Sequence, residues 1–250
     1  SRHPKAFSRL YVSMVRAGET GGVLDMVLVQ LAGTIEKQVE LRGKIKSAMT
    51  YPVAVFALVL LIVTAMLLFI VPMFASLYSN LGGTLPLPTR ILMAASKIVS
   101  NFFPLVLAGG LAGVWGFKRW IKTASGRAIW DRVKLKVPIF GKLVRKTALT
   151  RFARTLGVLL RSGVPILESL EITSDTVGNT VVEEAVKAVQ VGVRQGESLA
   201  RPLANHPVFP PMVVQMMAVG EETGALDEML DKIGEFYEQE VEAMVDSLTS

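Results

Sequence analysis

The chain has 250 residues, 51% of them hydrophobic and 19% charged, and a mean hydropathy of +0.45, too apolar for a soluble domain of ordinary composition. It contains no cysteine, which excludes disulfides, thiolate metal sites and cysteine nucleophiles. The formal net charge of +6 does not call for nucleic acid, because the basic residues sit beside apolar runs where anionic lipid headgroups attract them.

Near the start, the nine residues AGETGGVLD from Ala17 to Asp25 have a near copy, VGEETGALD, from Val219 to Asp227. At a constant offset of 202, residues 14–40 match residues 216–242 at 10 of 27 positions. The apolar positions align too: Leu24, Val27, Leu28, Leu31, Ile35 and Val39 fall opposite Leu226, Met229, Leu230, Ile233, Tyr237 and Val241. Each set traces one stripe of an amphipathic helix, so the chain carries an internal repeat of a helical unit. His3-Pro4 before Phe7 and His206-Pro207 before Phe209 extend the likeness with a one-residue slip. The second copy follows a helical stretch, 142–205, that the first copy lacks, so the first repeat is expected to miss its front half.

Within the phrase, Gly220 suits the C-cap of one helix and Thr223 or Gly224 the N-cap of the next. Asp227 then lies in a first turn, where a carboxylate favours the helix dipole. A turn does not require Glu221 and Glu222, so contact with a basic partner is a second reading that can coexist with the first. The candidate turn and partner-contact residues are Gly18, Glu19, Gly22, Leu24, Gly220, Glu221, Glu222, Gly224 and Leu226.

Ser47 to Thr89 contains no Asp, Glu, Lys or Arg, and Val53 to Ala75 within it is long enough to cross a hydrocarbon core about 30 Å thick as a helix. It is too long and too far from the start for a signal peptide. A second charge-free run, Ile98 to Phe117, ends at the basic, aromatic Lys118-Arg119-Trp120. Its Gly109, Ala112, Gly113 and Gly116 form a small-residue face on which another membrane helix can pack. Residues 118–161 hold 13 Lys or Arg against the one acid Asp131, whereas the connection between the runs holds only Arg90 and Lys97. Retention of positive charge inside predicts a multi-pass protein with both flanks in the cytoplasm.

After the second run the pattern is helical throughout. Leu143, Leu149, Phe152, Leu156 and Leu159 share a face, the helix stops at Gly163, and a second restarts after Pro165. A third ends at Gly196, a short one is weakened by Pro202, and PMVVQMMAVG and ALDEMLDKIGEFYEQEVEAMVDSL complete six. Short turns and no period-two pattern argue for an antiparallel helical bundle without a sheet. From Glu221 to Asp246 there are ten acids against one Lys. That face is either solvated or docked on a basic surface, which is this chain's own 118–161 segment or a partner's.

No phosphate loop, HExxH, GxSxG or GxGxxG is present, Glu183-Glu184 reads as helix surface, and both histidines sit in His-Pro loops. The sequence therefore predicts no enzyme, no cofactor and no metal. A permease or channel subunit is the alternative, but it would place ionisable groups within its spans, and these have none.

The order of TYP before the first span, VP with Phe74 at its far end, an LP and T loop, LLRSGVPILESL, RQGESLARPL and FPPMVVQMMAVGEETGALDEML closely resembles the type II secretion F family across the whole chain. These are inner-membrane platform proteins of type II secretion and type IV pilus assembly. The resemblance implies an all-α membrane protein with duplicated cytoplasmic antiparallel six-helix bundles flanking a transmembrane hairpin. It implies a scaffold at the bacterial inner membrane that contacts a cytoplasmic assembly ATPase, pilin or pseudopilin subunits, other platform proteins, lipid and further copies of itself. The matching positions are Gly163, Pro165, Leu170, Gly196, Leu199, Phe209 and Pro210, with Gly18, Glu19, Gly22, Leu24, Gly220, Glu221, Gly224 and Leu226. The expected order is then half of a first repeat over 1–50, a span over 51–78, an outside connection over 79–97, a span over 98–117, a basic connector over 118–141 and a second six-helix domain over 142–250. The front of the first domain and a third span are expected to be missing.

Overall fold

The computed structural model describes residues 8–22, 24–80, 102–138 and 140–249, with seven scattered positions between 87 and 97. His3-Pro4, most of the expected outside connection and the first residues of the second apolar run lie outside the described residues. Every regular element among those described is a helix: α1 (Arg9–Gly21), α2 (Leu24–Ala65), a π-helical stretch (Met66–Ile70), α3 (Val71–Asn80), α4 (Phe103–Ile121), α5 (Ala124–Lys136), α6 (Phe140–Arg161), α7 (Ile166–Thr176), α8 (Thr180–Arg194), α9 (Ala200–Ala204), α10 (Pro211–Thr223) and α11 (Leu226–Thr249). The class is all-α, as the sequence implies. The chain divides into two units, Ser1–Lys46 with Arg127–Ser250, and Ser47–Gly126.

In the first unit α6 to α11 form the six-helix bundle, and the pairing of α6 with α11 is the most extensive. The predicted face of α6 is buried: Leu143 is 5% exposed and Leu149, Phe152, Leu156 and Leu159 are fully covered. Phe152 meets Phe209 edge-on with ring centroids 5.0 Å apart. At the end of α6, Gly163 takes φ +77° and the Val164 amide donates to the Leu159 carbonyl, which satisfies a helix-end acceptor before Pro165 leads into α7. Asn179 caps α8 by accepting from the Val181 amide. Asp131 of α5, buried, binds the Thr180 amide at 3.0 Å and Lys134 at 2.5 Å.

The first copy of the repeat packs on this bundle. Leu10 and Met14 of α1 and Val27 and Leu31 of α2 share a core with Val158, Leu159, Val164 and Ile172. Arg9 pairs with Glu171 and Asp175, and Lys44 with Glu242. The buried stripe of α2 matches the expected one only in part. Val27 and Leu31 are buried, but Leu24, Leu28, Ile35 and Val39 are 39 to 65% exposed, and Thr34 and Leu41 face inward in their place. The equivalent Leu230, Tyr237 and Val241 of α11 are covered, because α11 packs against both α6 and α10. Periodicity marks which residues are apolar and leaves open how many neighbours cover them.

In the second unit, α2 continues through the π-helical stretch into α3, and the stretch Leu24–Phe74 forms one long helix. It is the one helix among the described residues long and apolar enough to cross a membrane, by length and composition. The π register has a local cause. The Val71 amide bonds back to the Met66 carbonyl, so the Leu67 carbonyl would need an amide from residue 72, which is Pro72. The Ser96 hydroxyl donates to that Leu67 carbonyl and closes the gap. Of the second apolar run, the described helix is α4, Phe103–Ile121, which carries Lys118 and Arg119 in its last turn; residues 98–101 lie outside the described residues.

Candidate partner-contact site

Both copies of the repeated phrase build the same turn, and its two conserved-in-repeat glycines answer different needs. Gly18 and Gly220 lie buried inside α1 and α10, where the following helix crosses closely. A Cβ at Gly18 would come within 3.0 Å of Val27 Cγ2 and 3.2 Å of the Leu24 Cα; at Gly220 it would come within 3.0 Å of Met229 Cγ and 3.1 Å of the Leu226 Cα. The crowding residues are thus the same repeat positions. Gly22 and Gly224 instead close their helices at φ 69° and 73°, in the left-handed region that side chains avoid. The expectation that Gly220 caps its helix is corrected: α10 runs on to Thr223 and Gly224 is the cap. The identity of a glycine does not reveal whether close approach or positive φ selected it. Leu24 and Leu226 each open the next helix, Leu226 against the core and Leu24 in part exposed.

The carboxylates of the phrase separate into two kinds. Both oxygens of Glu221 accept from the Leu199 amide, at 2.9 and 2.8 Å, and this anchors the start of α9 to α10. Glu222 and Glu19 are exposed and have no partner among the described residues. Of the phrase's three glutamates, one is therefore structural and two are open.

The acidic α11 docks on the chain's own α6. Glu238 pairs with Arg154 at 2.7 Å, Asp231 with Arg154 at 3.6 Å and with Arg161, Asp227 with Arg161 at 3.4 Å, and Glu240 with Lys146. The Asp231 hydrogen bond, helped by Asp227, holds the Arg161 guanidinium above its ordinary pKa despite partial burial. Arg161 also borders a cleft of about 570 Å³ shared with Arg16 and Thr20 of α1 and the Gly163–Pro165 turn. One residue thus reaches the second phrase through Asp227 and lies beside the first. On α4, by contrast, Gly109, Ala112, Gly113 and Gly116 are exposed, and a Cβ on any of these three glycines would meet nothing within 4 Å among the described residues.

The chain matches the family described as Type II secretion system (T2SS), protein F over residues 1–72 and 152–250, the segments that hold the two copies. The chain belongs to this family. Among curated relatives, it is 52% identical to the Type IV pilus assembly protein PilC of Thermus thermophilus, covering 100% of this chain and 62% of that protein. It is 44% identical to the protein of the same name in Myxococcus xanthus, over 99% of this chain and 60% of the relative. It is 40% identical to the Type II secretion system protein F of Pseudomonas aeruginosa, over 97% and 60%. The chain therefore spans about three fifths of the length of these relatives.

Several positions of this protein F family chain that carry the family resemblance have a visible task. Gly163 and Gly196 sit at φ +77° and +86° in helix-ending turns, Leu199 supplies the amide that Glu221 binds, and Phe209 fills the core against Phe152. Arg161 was not singled out by the sequence, where it is one cation among thirteen. Nothing in a linear charge run shows that its partners lie about 70 residues away.

Proposed function

We propose that this chain is part of the inner-membrane platform of a bacterial type IV pilus or type II secretion machine, and that it couples a cytoplasmic assembly ATPase to the addition of pilin or pseudopilin subunits. The observation that carries the reading is family membership across both copies of the repeat, among relatives named for pilus assembly and for secretion. It is supported by the helix that leaves the bundle unit and continues as an apolar segment fit to cross a membrane. The role is that of a scaffold. The bundle's charges hold helices to one another, and the exposed Glu19 and Glu222, one from each copy of the phrase, stand ready for a basic surface on the ATPase. The open small-residue face of α4 packs against another membrane helix, from a platform partner or from a second copy in a homo-oligomer.

The test is a pull-down of the ATPase from membranes that carry the full-length protein, wild type against Glu19→Lys with Glu222→Lys. Glu221 stays, since it holds the α9 start. Loss of ATPase with normal membrane levels of the variant supports the coupling contact. Equal recovery removes the two carboxylates from it.

A further inference from the structure

Nearly every half-buried cation of the bundle unit has an acceptor: Arg154 has Asp231, Lys134 has Asp131, Lys146 has Glu240, and Arg145 donates to the Val208 carbonyl. Arg151 of α6 is the exception. It is half-buried, it makes no hydrogen bond or ion pair among the described residues, and its closest charged influence is another cation, Arg42 of α2. Burial first, and then Arg42, push its guanidinium below the ordinary arginine pKa, and no carboxylate opposes them. The guanidinium is held in place by packing. Its Nη1 lies under the turn between α7 and α8, where a Cβ on Gly178 would approach within 2.5 Å. The nearby Asp131 is already committed to Lys134 and the Thr180 amide.

The two arginines border a cavity of about 310 Å³ between α2, α6 and α11. Two further donors on its wall, the Thr147 hydroxyl and the Arg154 Nε, are buried without a hydrogen-bond partner. The acids on the far wall are engaged: Asp231 and Glu238 by Arg154, and Glu235 by Lys232. Leu41, Ile45 and Val158 supply an apolar side. Unmatched donors, uncompensated positive charge and a volume at the lower end of ligand pockets occur together here. The Arg151 guanidinium, held under the Gly178 turn, and the exposed Arg42 on the same cavity suit an oxyanion that accepts in pairs.

We infer that Arg42, Arg151 and Thr147 form a binding site for the phosphate group of a small molecule or of a lipid headgroup. A bound phosphate relieves the repulsion between the arginines and satisfies the Thr147 hydroxyl. It thereby fastens α2, the helix that continues into the apolar segment, to α6.

The test uses full-length protein in nanodiscs and two probes. Inorganic pyrophosphate is titrated by calorimetry into protein in pure phosphatidylcholine discs. Separately, thermal unfolding is followed in discs with and without phosphatidylglycerol and without soluble phosphate. Binding or stabilisation in the first arm points to a soluble phosphate compound, and in the second to a lipid headgroup. In whichever arm responds, Arg151→Gln and Arg42→Gln each weaken the response at least about tenfold, the usual size of a lost hydrogen bond to a charged partner. Folding is checked by helical content. Arg151→Gln, which removes a lone half-buried charge, unfolds no earlier than wild type without the probe. A wild type that responds to neither probe, or an equal response in both variants, overturns the inference.

Discussion

Replacing Glu221 by Ala should loosen the start of α9 specifically. The carboxylate accepts one amide, that of Leu199, through both oxygens at 2.8 and 2.9 Å, and Leu199 itself is only 3% exposed. A net contribution of about 1.5–3 kcal/mol is typical of a hydrogen bond to a charged group, and the half-buried setting of Glu221 places it in the lower part, about 1.5–2 kcal/mol. Because the amide is buried, removing the acceptor leaves a donor without a partner, so the loss is not offset by solvent. At about 1.4 kcal/mol per factor of ten, exchange of the Leu199 amide with deuterium should rise roughly 10- to 30-fold, while amides in the middle of α6 change little. Glu221→Gln keeps one acceptor oxygen and should fall between. Amide exchange read by mass spectrometry on full-length protein checks this. Unchanged protection of Leu199 in the Ala variant would refute the structural role of Glu221 and return the carboxylate to partner contact.

Gly220→Ala gains about 1 kcal/mol of helix propensity but drives a methyl to 3.1 Å from the Leu226 backbone, an overpacking cost of about 1–3 kcal/mol, so a net loss of stability is expected. Gly33→Ala, inside α2 with nothing within 4 Å, should instead stabilise by about 0.5–1 kcal/mol, and chemical denaturation of the pair separates close approach from propensity. Tyr237, 5% exposed, has its phenol pKa raised chiefly by burial above the ordinary 10.0. As pH climbs past 10.0 the unfolded chain gives up this proton first, so the stability is present below that value and lost as pH rises through the folded pKa. Tyr237→Phe should flatten that part of the alkaline stability profile.

The bundle was legible because its information is local. The spacing of Leu149, Phe152, Leu156 and Leu159, the stop at Gly163 and the restart after Pro165 each specify a helix or its end within a few residues. The duplication was equally plain, and it located the two turns. What each glycine does was not legible: Gly220 and Gly224 differ only in whether a neighbouring helix or a backbone dihedral excludes a Cβ. Nor was the use of Glu221, since Leu199 lies 22 residues earlier in the chain. The exposed Leu28, Ile35 and Val39 show the same limit from the other side, because a stripe identical in pattern to that of α11 meets fewer neighbours among the described residues. The Arg42 and Arg151 pair left no sequence signal, as it depends on two helices meeting with no acid between them.

Charge is where the linear reading changes most. Residues 118–161 carry 13 cations against one acid, and residues 221–246 carry ten acids against one Lys, yet much of the two runs is spent on each other across α6 and α11. Neither run as a whole should then be treated as a free surface for a partner, and within the acidic one Glu222 stays open. Arg154 is the most enclosed of these cations, its side chain 15% exposed between Asp231 and Glu238. Arg154→Met leaves Glu238 without its partner while Asp231 keeps Arg161, so a loss of about 2 kcal/mol is expected from one partly buried, unpaired carboxylate. Adding Glu238→Leu removes that carboxylate and should restore most of the loss, since apolar side chains of similar size replace a buried ion pair at little cost. Denaturant unfolding of the single and double variants gives the coupling directly. If the double variant is as unstable as the sum of the singles, the acidic helix is not held to α6 by this pair, and the surface reading of both charge runs regains its place.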